Sequence, residues 1–161
     1  MAVMDRVRTP GACVLVVEDE ADVLKLTVHF LEHAGFIVDA VASGADALHA
    51  LAAVRYDLLL CDKNLPGVHG LQVVEEARRL QPGIATVLMT AWPEIISMKD
   101  LDLDGYVTKP FRSGQDLADT LRGAIARRAR RDEARAEAED TSTSNPDLRP
   151  VVNQPKPTPQ G

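Results

Sequence analysis

Apolar residues along the chain follow two alternating patterns. Continuous runs at Cys13-Val14-Leu15-Val16-Val17, Asp57-Leu58-Leu59-Leu60-Cys61, Ile84 to Met89 and Tyr106 to Thr108 predict strands. An unbroken apolar run suits a parallel strand covered on both faces, where neither side meets water. Phe36 to Val41 reads as a further strand, near an edge because Asp39 interrupts it. Between the strands the apolar period lengthens to that of a helix. Val23, Leu24, Leu26, Thr27, Phe30 and Leu31 share one face of a helix ending at Gly35. Ser43 predicts an N-cap for a helix from Ala45 to Val54, with Asp46 placed to complement its dipole. Leu71, Val74, Ala77 and Leu80 line a third helix, stopped by Pro82-Gly83. Pro93 opens a short helix containing Ile95, Ile96 and Met98, followed by the acidic stretch Asp100, Asp102 and Asp104. A last helix starts near Ser113. Alternating strand and helix signals predict the α/β class, with a five-stranded, doubly wound parallel sheet.

That architecture changes the meaning of the polar residues. Ligands of such sheets bind at the carboxyl ends of the strands, beside the point where strand order reverses. Glu18, Asp19 and Glu20 follow the first strand, Asp62 ends the third, Thr90 follows the fourth and Lys109 follows the fifth. A carboxylate at the tip of a buried strand costs several kcal/mol unless a cation compensates it. Carboxylates, a hydroxyl and an ammonium gathered at strand tips suit phosphoryl transfer. Each residue also has an ordinary reading. The acids can complement a helix dipole, Asp62 can close a turn, Thr90 can be a strand former, and Lys109 and Tyr106 can be solvated surface groups. Those readings would have to hold together at four strand ends, and the functional reading is the simpler one.

Composition sets the frame. The hydrophobic share of 45% and charged share of 26% are those of a globular protein able to bury a core. A net charge of -6 and a pI near 5.2 disfavour general nucleic-acid binding. No apolar stretch reaches the roughly 18 to 20 residues of a membrane span, and Met1 to Pro10 lacks the apolar centre of a secretory signal. Cytoplasmic residence without membrane insertion is the expectation. Cys13 and Cys61 sit at opposite ends of neighbouring parallel strands, beyond the roughly 7 Å limit for a disulfide, and are read as buried thiols. His29, His33, His49 and His69 are read as surface residues without ligand spacing.

The polarity then shifts along the chain. Residues 1–11 are an N-terminal extension, and residues 12–126 the folded unit. Between Arg127 and Asp140 five arginines face five acids, which predicts a solvated extension of the last helix rather than a basic nucleic-acid arm. Residues 141–161, with Pro146, Pro150, Pro155, Pro157 and Pro159, are expected to be disordered.

Four segments in order carry a resemblance. Val16-Val17-Glu18-Asp19-Glu20, Leu60-Cys61-Asp62-Lys63-Asn64-Leu65-Pro66-Gly67-Val68-His69-Gly70, Met89-Thr90-Ala91 and Val107-Thr108-Lys109-Pro110-Phe111 are similar to the receiver domain of bacterial two-component response regulators. The resemblance spans Ala12 to Ala126. It implies a flavodoxin-like (βα)5 fold with strand order 2-1-3-4-5 and a phosphoacceptor at Asp62. It implies Mg²⁺ held by Glu18, Asp19, Asp62 and the Asn64 backbone carbonyl, with Lys109 facing a phosphoryl oxygen. A cis bond before Pro110 would aim that lysine inward. Thr90 would then bind the phosphoryl group and Tyr106 would act as the switch aromatic. The implied partners are a sensor histidine kinase or phosphotransfer protein and a downstream protein. The implied state is a monomer or a weak, phosphorylation-dependent dimer. The implied activity stops at self-phosphorylation and slow self-dephosphorylation, so the chain is not expected to be an enzyme.

Three features depart from the family pattern. Leu65 stands where methionine is common, a volume-conserving exchange, and Trp92 is bulky enough to shield an acyl phosphate. The stretch from Thr90 to Lys109 is short for a regular fourth helix. Two other functions compete with a phosphorylated signalling module. One is a phosphorylation-independent scaffold of the same fold. The other is a Mg²⁺-dependent phosphohydrolase of the haloacid dehalogenase type, which needs an aspartic acid where Asn64 stands; an amide cannot protonate a leaving group.

Overall fold

The computed structural model describes residues 11–92 and 102–143. Strands β1 (Cys13–Val17), β2 (Ile37–Val41), β3 (Leu58–Asp62), β4 (Ala85–Thr90) and β5 (Gly105–Thr108) form one parallel sheet in the order β2-β1-β3-β4-β5. Helices α1 (Ala21–His33), α2 (Gly44–Ala53), α3 (Gly70–Leu80) and α4 (Gly114–Thr143) cover it on both sides. The predicted helix over 93–98 lies outside the described residues.

Successive strand residues feed opposite cores, which is why the strands are apolar throughout. Val14, Val16, Leu58, Leu60, Val87 and Met89 pack with Leu31 of α1 and with Leu117 and Leu121 of α4. Leu15, Val17, Leu59, Cys61 and Leu88 pack with Leu51 of α2 and with Val73 and Val74 of α3. All eleven of these strand residues are fully buried. At about 1.5–3 kcal/mol per buried aliphatic side chain, this double-sided burial dominates the stability of the sheet. Asp39 confirms β2 as an edge strand, and its Oδ2 accepts a 2.7 Å bond from the Tyr56 hydroxyl. Ser43 caps α2, its Oγ accepting from the Asp46 amide at 3.1 Å.

Three expectations need correction. Cys61 is buried, but Cys13 is only half-buried, because it opens the sheet at the rim. Residues 141–143, expected in a disordered tail, continue α4, whose run of Ala, Arg and Glu has high helix propensity. The start of the charged extension is also not a free solvated rod. The Arg127 Nε donates to the Asp104 carbonyl at 2.9 Å, Arg128 Nε lies 3.1 Å from Asp104 Oδ2, and Arg131 lies 3.2 Å from Asp104 Oδ1 and 2.8 Å from Asp102. Asp104 is buried, and its Oδ2 also accepts from the Thr86 amide at 2.9 Å. Arg128 and Arg131 lie three residues apart and so share a helix face turned toward the start of β5. From Arg131 to Thr141 every residue is exposed.

The α2–β3 junction rests on one side chain. Gln81, just past α3, accepts the Tyr56 amide at 2.9 Å and donates to the Leu51 and Val54 carbonyls at 2.8 and 2.6 Å. It satisfies backbone groups that the end of α2 leaves without helical partners.

Candidate phosphoryl-transfer site

The strand registers pair Val17 with Cys61, Asp62 with Met89 and Thr90 with Thr108, so the carboxyl ends of β1, β3, β4 and β5 form one rim. β1 lies between β2 and β3, and the crevice opens where the strand order reverses. Glu18, Asp62 and Thr90 are buried there and Asp19 is exposed. Glu18, Asp19 and Asp62 each offer a carboxylate oxygen, all within 4.8 Å of one another. Among the described residues this is the one cluster of three or more side chains able to hold a metal.

Lys109 closes the rim. Its Nζ lies 3.0 Å from Glu18 Oε2 and 3.0 Å from Asp62 Oδ2. The peptide between Lys109 and Pro110 is cis. The backbone holds the carboxylates from behind. The Glu20 amide donates to Glu18 Oε1 at 3.1 Å, and the Asn64 amide to Asp62 Oδ1 at 3.1 Å. Glu20, not Glu18, is the N-cap of α1, and its side chain makes no capping bond. The helix-cap reading of this acidic run therefore fails for the residue buried deepest. Lys109, expected at a phosphoryl oxygen, also bridges to Glu18, a contact that no local pattern in the sequence announces.

Burial raises the Glu18 pKa; bonds from Lys109 and the Glu20 amide pull the other way, and the Asp62 charge raises it further. Burial pulls the Lys109 pKa down, but the hydrogen bonds and charges of Glu18 and Asp62 outweigh it and the net shift is upward. One ammonium, paired with Glu18 and Asp62, thus stands beside a cluster of three carboxylates. The excess negative charge and the all-oxygen donor set suit a hard divalent cation. Cys61 is no rival nucleophile, because burial first, then the charges of Asp62 and Glu18, push its thiol pKa well up.

Thr90 Oγ1 accepts the Trp92 amide at 3.0 Å. That amide is the contact Trp92 makes with the site, and its side chain is largely exposed rather than packed inward as a shield. Tyr106 is also exposed. His69 is the N-cap of α3, and its amide donates to Gln72 Oε1 at 3.1 Å. His29 and His33 lie one turn apart on α1, with stacked rings 6.3 Å between centroids.

Residues 14–122 match the sequence model of the response regulator receiver domain. The chain belongs to the response regulator receiver family. The receiver is 34% identical over 115 residues to the uncharacterized transcriptional regulatory protein YkoG of Bacillus subtilis, covering 70% of this chain and 50% of that protein. It is 36% identical over 107 residues to the transcriptional regulatory protein TcrA of Mycobacterium tuberculosis, covering 65% and 42% respectively. The chain thus spans about half or less of the length of these relatives. Among solved structures, the chemotaxis response regulator CheY4 of Vibrio cholerae matches with a TM-score of 0.64 and 28% identity, over 70% of this chain and 97% of that one. A CheY-like receiver from Methanospirillum hungatei shares the fold, with a TM-score of 0.67 at 24% identity over 75% of this chain and 98% of that one.

Phosphorylation-activated signalling is the general role of receivers, which act with histidine kinases and downstream effectors and are generally not classed as enzymes. Receivers generally bind Mg²⁺ at an acidic pocket, and the acidic cluster of this receiver is Glu18, Asp19 and Asp62. Among the described residues no helix is long and apolar enough to cross a membrane.

Proposed function

We propose that this receiver accepts a phosphoryl group on Asp62 from a phosphohistidine of a sensor kinase or phosphotransfer protein, and signals through altered protein contacts. The observation that carries the reading is the placement of Lys109 Nζ 3.0 Å from both Glu18 and Asp62, within a carboxylate cluster 4.8 Å across. An Asp62 carboxylate oxygen attacks phosphorus and forms the acyl phosphate, while the phosphorus–nitrogen bond breaks and its electron pair returns to the donor imidazole. Glu18, Asp19, Asp62 and the Asn64 carbonyl would hold Mg²⁺, which when bound offsets repulsion between the carboxylate and the incoming phosphoryl oxygens. Lys109 moves from its carboxylate partners to a phosphoryl oxygen. Thr90, whose oxygen accepts from the Trp92 amide, would donate its hydroxyl proton to the same group. Tyr106 stands exposed on β5, two positions from Thr108, the register partner of Thr90. A shift of Thr90 toward the phosphoryl group opens room for the ring to turn inward, and contacts available in only one state set the balance.

The test is exposure to acetyl phosphate with Mg²⁺, followed by intact mass measurement. Wild type gains one phosphoryl group and Asp62→Asn gains none. A gain in both, or in neither, refutes the assignment.

A further inference from the structure

We infer that Gly70 and Gly44 are positioning residues for phosphoryl transfer, because two helix starts without side chains clamp the loop that follows Asp62 and carries Asn64. The inference rests on the reading of Asp62 as acceptor. Gly70 is the first residue of α3, and its amide donates to the Lys63 carbonyl at 3.3 Å. A β-carbon at Gly70 would lie 2.2 Å from the Asp62 carbonyl oxygen, 2.9 Å from Lys63 Cα and 3.0 Å from the Asp62 carbonyl carbon. All three obstacles are backbone, so no side chain can turn away to make room. Restoring ordinary contact needs a withdrawal of more than about 1 Å, in the peptide that sets the direction of the Asp62 side chain.

Gly44 does the same from the other side. It opens α2, and a β-carbon there would lie 2.8 Å from both the carbonyl oxygen and the β-carbon of Val68. The loop between Asp62 and Gly70 is therefore pressed at one end by α3 and at the other by α2. Within it, the Asn64 amide holds Asp62 Oδ1 at 3.1 Å, and the Lys63 amide is tied to the Met89 carbonyl at 3.0 Å. Gly67, in the same loop, needs its glycine for a different reason. Its φ is +79°, and a β-carbon there would meet nothing within 4 Å. Gly44 and Gly70 are thus required for close approach, not for backbone freedom.

The readout must separate position from stability. Gly70→Ala and Gly44→Ala are compared with Leu121→Ala, a truncation in the core on the face of the sheet opposite α2 and α3. Each protein is assayed for Tm, for Mg²⁺ affinity by calorimetry, and for phosphorylation rate by intact mass at saturating Mg²⁺ and acetyl phosphate. A misplacement near 1 Å predicts a rate loss of about a hundredfold in Gly70→Ala, with weaker Mg²⁺ binding, and a loss of about tenfold in Gly44→Ala. Leu121→Ala loses Tm while keeping its rate and Mg²⁺ affinity. A folded Gly70→Ala protein whose rate and affinity stay within about twofold of wild type overturns the inference. So does a Leu121→Ala protein that loses rate in proportion to Tm. If Gly70→Ala does not fold, Gly44→Ala decides, and a wild-type rate there is fatal. Absence of phosphorylation in wild type would refute the acceptor reading instead, and the Mg²⁺ affinities would still judge the clamp.

Discussion

Lys109 Nζ sits 3.0 Å from Asp62 Oδ2 although the two residues are 47 positions apart, and the same ammonium reaches Glu18 across 91 positions. A single cation thus holds together the ends of β1, β3 and β5 before any phosphoryl group arrives. Its position makes it both a structural counter-ion and a competitor for any divalent cation entering the cluster.

Removing that ammonium should therefore have opposed effects. Lys109→Ala leaves Glu18 and Asp62 without their cation, and urea denaturation without Mg²⁺ should show a loss of about 1–3 kcal/mol. Mg²⁺ should bind about fivefold more tightly, since a repelling charge is gone. Phosphorylation by acetyl phosphate should nevertheless slow. Weaker Mg²⁺ binding in the variant would contradict the competition.

Mg²⁺ itself should stabilise the fold. Three carboxylates within 4.8 Å repel each other in the metal-free protein. At a Mg²⁺ concentration 100-fold above Kd the gain is about 2.7 kcal/mol, a rise of several degrees in Tm. Asp62→Asn should shrink that rise, and NaCl of equal ionic strength should not reproduce it. An unchanged Tm on adding EDTA would argue against a bound divalent cation.

The ion pairs at the start of β5 should differ sharply in worth. Asp104 is buried against Arg128 and Arg131, so Asp104→Asn leaves a buried guanidinium short of its counter-charge and should cost about 3 kcal/mol. Arg131 is half exposed, and Arg131→Ala should cost no more than about 1 kcal/mol. Hydrogen exchange in α4 beyond Arg127 should speed up in Asp104→Asn. Equal costs for the two variants would show that burial does not set the scale.

Tyr56 should give stability an alkaline limb. Burial first, then the hydrogen bond to Asp39, raises its phenol pKa well above the ordinary 10.0. Above that ordinary value the folded protein keeps a proton that the unfolded chain releases, so stability falls as pH rises. Tyr56→Phe should cost about 1 kcal/mol at pH 7 through the lost bond. The gap between the two proteins should narrow above pH 10. A constant gap in denaturation measured across that range would count against the raised pKa.

Local rules reached a long way into this protein. Leu58, Leu59 and Leu60 read as a doubly covered strand because both of their faces are buried, and Asp39 marked an edge because only an edge tolerates it. Ser43 announced the start of α2 through a bond spanning three residues. Glu18, Asp62, Thr90 and Lys109 could be placed at strand tips because a parallel sheet turns order along the chain into order along a rim.

Contacts between distant segments stayed out of reach. Arg128 and Arg131 read as solvated charges because the run that follows Ala126 is almost wholly charged residues and alanine, yet Asp104, 24 and 27 positions earlier, lies beneath them. Gln81 offered no sign that it would hold the end of α2, nor Gly70 that it would touch the Asp62 carbonyl. Hydrophobic period, caps and strand tips are determined within a few residues, so the sequence by itself decided the fold and the inventory of the site. Which charge neutralises which, and how closely two backbones approach, depends on packing whole helices against the sheet, and only the tertiary structure decided that.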